Sequence, residues 1–166
     1  VLKKKFKSLV YHIKENWKIA GAYVALLQEM DLVESDKRFQ FRVGKFLNEV
    51  SEYSKDKRVA NVPILIAQIL FLLNRGKKNE LIDRMEALKK YCSRNLRYDE
   101  AFRSNCFMKF LIKIPECSFH PVRLAAHTKD LKKKIQNEPF QQSSKSFHLE
   151  IVPYENLWEM TYSIIS

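Results

Sequence analysis

Residues 62 to 73 read VPILIAQILFLL, an apolar run interrupted in its middle only by Gln68, and Gly76 separates this run from a charged, evenly patterned segment. No other feature constrains the fold as strongly. The run is about a dozen residues, short of the roughly 20 that a membrane-spanning helix needs, so other parts of a protein must cover it. A core helix wrapped on several sides is the economical solution. Glycine accepts the positive φ of a helix C-cap, so the helix over 60–74 is expected to end at Asn74-Arg75-Gly76. Beyond it Leu81, Ile82, Met85, Leu88, Tyr91 and Cys92 form one stripe, with Lys78, Glu80, Asp83, Arg84, Glu86, Lys89 and Lys90 marking the solvent side. So short a join makes the two helices antiparallel neighbours.

The same periodicity recurs along the chain. Leu2, Phe6, Leu9, Val10 and Ile13 share a helical face ringed by lysines, and Trp17, Ala20, Tyr23, Val24, Leu27 and Met30 continue at three- and four-residue steps until the turn DLVESDKR. Phe39, Val43, Phe46, Leu47, Val50 and Tyr53 predict a helix that stops at SKDKR. Ala101, Phe102, Cys106, Phe107, Phe110, Leu111 and Ile114 predict another, capped near Asp99 and ended by Pro115. Val122, Leu124, Ala125, Leu131 and Ile135 predict a last one, ended by Pro139. Helix starts near 17, 38, 60, 79, 100 and 120 imply a helix pair about every 40 residues, with no strict sequence repeat. Three glycines and five prolines are too few for the turns of a β-sandwich. The expected fold is all-α: a stack of antiparallel helical hairpins over residues 1–140, followed by a linker and capping tail over 141–166.

That tail differs in character. After the polar QQSSKS, the segment FHLEIV alternates at the period of a strand, and PYENLWEMTYSII predicts a helix with Pro153 in its first turn. Phe147, Leu149, Ile151, Tyr154, Leu157, Trp158 and Ile165 are too apolar to hang in water. The tail is therefore expected to fold back as a cap on the last hairpin, anchored by Trp158, in preference to pairing with the edge of a neighbouring chain.

Composition narrows the chemistry. A net charge of +11 points to nucleic acid, an anionic surface or an acidic protein as partner, but the lysines are scattered enough to serve as a solvating surface. Cys92, Cys106 and Cys117 lie in apolar helical contexts, which fits buried thiols in a reducing, cytoplasmic setting. Cys106, Cys117 and His120 could be drawn into a zinc site, yet no CxxC or HExxH spacing supports it. Cys117 beside His120 or His127 lacks the orienting group of a thiol nucleophile. Gly21, Gly44 and Gly76 stand alone, so no phosphate-cradling loop is present. Neither a cofactor nor a catalytic residue is expected. The opening on Val1 suggests that further chain lies upstream.

The hairpin at Gly76 resembles a tetratricopeptide-repeat unit, with the glycine at the inter-helix turn and Leu81, Met85 and Leu88 where the second helix packs. It departs from the repeat in having Leu81 where a small residue is usual and in lacking the terminal proline. Together SKDKRVANVPILIAQILFLL, DRMEALKKYCSRNLRYDEAFRSNCFMKFLIKIPE and EIVPYENLWEM are similar to the C-terminal part of uncharacterised bacterial tetratricopeptide-like proteins. The likeness spans about residues 40 to 160. It implies a non-catalytic module that binds a protein or peptide on a concave face, with Arg42, Lys45, Gln68, Arg103, Lys109 and Lys113 as partner contacts. The alternative is a basic nucleic-acid-associated protein, binding weakly through HTKDLKKKIQ and the N-terminal lysines.

Overall fold

The computed structural model describes residues 2–34, 40–48, 61–96, 101–138, 140 and 150–166. Among these, the regular structure is seven α-helices: α1 (Leu2–Glu29), α2 (Val43–Asn48), α3 (Asn61–Asn74), α4 (Lys78–Asn95), α5 (Phe102–Glu116), α6 (Pro121–Asn137) and α7 (Tyr154–Ile165). None of the described helices is long and apolar enough to cross a membrane. The apolar run is instead the hub of the fold, since α3 packs against α1, α4, α5 and α7. Ile66, Ala67, Leu70 and Phe71 are wholly buried in it, each large side chain removed from water contributing about 1.5–3 kcal/mol.

The turn at Gly76 forms as expected. Gly76 sits at φ 64°; its N–H donates to the Leu73 carbonyl at 3.0 Å and the N–H of Lys77 donates to that of Leu72 at 2.9 Å, closing a Schellman motif. Beyond it Leu81, Met85, Leu88, Tyr91 and Cys92 face the core, while Ile82 of the expected stripe is exposed.

Two expectations need correction, and a third is described only in part. The two N-terminal stripes belong to one continuous helix, α1. The helix expected over 39–53 is described only as the short α2, and residues 35–39 and 49–60 lie outside the described residues. Helix α5 runs through Pro115 to Glu116, because a proline in the last turn forfeits a single backbone bond.

The tail docks within the chain. Helix α7 packs on α3, α5 and α6, and Tyr154, Leu157 and Trp158 join the same buried cluster as α3 and α5. The tail thus shares the core of residues 1–140, closing over the last hairpin and reaching α3 as well. The Trp158 ring stacks on Phe110 at 3.7 Å and the Tyr154 ring on Phe107 at 4.7 Å. Among the described residues no strand precedes it: Ile151 and Val152 form a bend, and residues 147–149 of the expected strand lie outside the described residues.

Candidate functional site

The six residues expected at a partner surface divide into two groups. Arg42 and Lys45, around α2, and Lys109, on α5, are exposed. Lys113 is half-buried and pairs with Glu116 at 2.7 Å, a carboxylate that also holds Lys89 of α4 at 2.7 Å. The hydrogen bond from Lys113, joined by the one from Lys89, holds the Glu116 carboxyl below its ordinary range. Gln68 and Arg103 are used inside the fold. Gln68 is 2% exposed; its Nε2 donates to the Phe46 carbonyl at 2.7 Å and its Oε1 accepts from Arg84 at 3.0 Å, tying α3 to α2 and α4. The six therefore do not act as one outward-facing set.

Arg103 is a clamp between helix ends. Its Nε and Nη2 donate to the two oxygens of Glu150 at 2.9 and 2.7 Å, and Nη2 also donates to Glu155 at 2.7 Å. Nη1 donates to the Ile135 carbonyl at 2.7 Å and to the Glu138 carbonyl, satisfying the C-terminus of α6. Glu150 Oε1 in turn accepts the Tyr154 N–H at 2.7 Å, which caps α7 from upstream. Burial works against the Arg103 charge, and the hydrogen bonds and charges of Glu150 and Glu155 outweigh it, so its pKa ends above the ordinary value. A fork with parallel donors makes such bidentate geometry; an ammonium could not.

Among the described residues, a groove of about 510 Å³ lies between α6 and α7. Ala125, Trp158 and Tyr162 supply its apolar lining, and Lys129 with Lys132 and Lys133 one turn further along α6 supply its cations. Glu159 is the one carboxylate lining it among the described residues, and Lys132 holds that group at 2.8 Å. The three lysines belong to the basic stretch HTKDLKKKIQ. Their aromatic companions Trp158 and Tyr162 could not be placed from sequence, because they come from a helix more than twenty residues downstream.

Cys92, Cys106 and Cys117 are free and buried. Burial pushes the Cys92 thiol up to about 11 against the pull of Lys109, and raises that of Cys106 as well. Since the thiolate is the nucleophile, the folded chain is expected to react with Ellman's reagent at neutral pH far more slowly than the chain in guanidinium. Immediate titration of all three thiols in the native protein would contradict this packing. His120 caps α6, its Nδ1 accepting the Arg123 N–H at 3.5 Å. Among the described residues, no group of three or more His, Cys, Asp and Glu side chains could hold a metal ion.

No family model, curated protein or solved structure matches this chain.

Proposed function

We propose that this chain is a non-catalytic interaction module of tetratricopeptide-like type, which binds an acidic protein or peptide segment in the groove between α6 and α7. One observation carries the reading: three lysines and a single carboxylate, already held by Lys132, line the groove beside apolar side chains. Such a surface attracts carboxylates at its rim and offers a dry seat for an apolar side chain between them. The antiparallel α3 and α4, turned at Gly76, support the likeness to helical-hairpin proteins. Three buried free thiols fit a cytoplasmic, reducing setting, and the bacterial assignment rests on the sequence likeness alone. Nucleic acid is the second reading, carried by the same lysines, whose attraction for phosphates would fall steeply with salt.

The test is fluorescence anisotropy with a labelled peptide of alternating glutamate and leucine around a central phenylalanine, beside a mixed-sequence single-stranded DNA. The wild type is expected to bind the peptide, and Lys129→Glu with Lys133→Glu is expected to weaken it more than about tenfold while leaving the Lys132 to Glu159 pair in place. Binding of the DNA alone, falling steeply with salt, would hand the groove to nucleic acid.

A further inference from the structure

Helix α1 is apolar on two sides, and the fold uses one of them. Ile19, Ala22, Tyr23 and Leu26 are buried where α1 packs on α3. About 130° round the helix, at 100° per residue, runs a second line. It consists of Ile13, Trp17, Ala20, Val24 and Leu27, at alternating steps of four and three residues, and the same steps continue in the sequence back through Val10 and Phe6. Along this line Ile13 is 48%, Trp17 74% and Val24 39% exposed.

The spacing says what kind of surface covers it. A line one residue wide with a period of 3.5 is the seam of a coiled coil, narrower than the broad apolar face by which a helix lies in a bilayer or packs into a globular core. The partner is therefore another helix carrying the same repeat, and every copy of this chain supplies one. We propose that α1 pairs with α1 of a second copy, antiparallel, about a two-fold axis near the middle of the seam.

Charge sets the direction. The N-terminal end of α1 carries Lys3, Lys4, Lys5 and Lys7, and the turn after its C-terminal end carries Asp31 and Glu34. A parallel pair brings the two lysine clusters side by side, whereas an antiparallel pair sets each cluster beside the other copy's acidic turn. Size agrees with this direction: Trp17 of one copy faces the small Ala20 of the other, and Ile13 faces Val24. The interface is isologous, so it closes at two copies.

The 166-residue chain tests this directly. Light scattering on a sizing column is expected to give twice the 19.7 kDa of the chain. Trp17→Glu with Val24→Glu, at positions outside the core, is expected to give the single mass with an unchanged helical spectrum. In an equimolar mixture of Ile13→Cys and Val24→Cys chains, mild oxidation is expected to link 13 to 24. This trap works in otherwise native chains and does not depend on the charged variant folding. A wild type that stays at the single mass at high concentration, including one that instead sediments with vesicles of anionic phospholipid, would overturn the proposal. So would 13-to-13 disulfides, or a dimer that survives both glutamates.

Discussion

Replacing Trp158 by alanine is expected to cost about 3–5 kcal/mol of stability, the range for emptying a buried aromatic site. The side chain is 2% exposed, stacks on Phe110 at 3.7 Å and lies 6.3 Å from the Phe107 ring, so its loss opens the contact between the tail and α5. Trp158→Phe separates packing from polarity. The indole Nε1 is buried with no hydrogen-bond partner among the described residues, and phenylalanine removes that unpaired donor while keeping a ring over Phe110. It is expected to stay within about 1.5 kcal/mol of wild type. Urea unfolding followed by circular dichroism checks both. An alanine variant as stable as wild type would show that α7 contributes nothing to the core.

The second large effect belongs to Arg103. Arg103→Ala leaves the Glu150 carboxylate, 4% exposed, without its cation, and strips two carbonyls at the end of α6 of their donor. Breaking one partner out of a buried pair typically costs about 3–5 kcal/mol, and Arg103→Lys is expected to recover only part of it, since a point charge cannot make the fork. Acid should act on the same clamp. Burial disfavours the charged Glu155 carboxylate, but Arg103 more than offsets this and holds its pKa below the ordinary value. A depressed native pKa stabilises the fold above the unfolded value, near 4.3, and that contribution is lost as pH falls through the native one. The thermal midpoint should therefore drop on acidification below about pH 4.5, and less steeply in Glu155→Gln. An Arg103→Ala chain with wild-type stability would remove the clamp from the account.

How much of this was legible beforehand depended on the range of the interactions. The apolar run, the Gly76 turn and the inward faces of α4 and α5 follow from local periodicity, and they appear where expected apart from Ile82 and Phe102, which are exposed. The ends of α1 and α5 are turned by Asp31 and Ser118 at φ 56°, with Phe119 also at positive φ, so no glycine marked the conformations there. α1 read as two helices although no turn separates the two stripes, which fall on one line from Phe6 to Leu27 of a single helix. Gln68 and Arg103 looked like surface contacts because polarity alone says nothing about a partner brought in from elsewhere in the chain. Alternation in FHLEIV placed Glu150 outward, whereas Arg103 draws it inside. Lys129, Lys132 and Lys133 were visible as a charged patch, but only the docking of α7 makes a groove of them.

The central claim is that this groove receives an acidic segment, and amide chemical-shift mapping on the isotope-labelled 166-residue chain tests it most directly. Titration with the glutamate and leucine peptide is expected to move the resonances of Lys129, Lys132 and Lys133 on α6 together with Tyr162 and the Trp158 indole on α7. Shifts confined to the surface of α1 around Trp17, or none at saturating peptide, would contradict it.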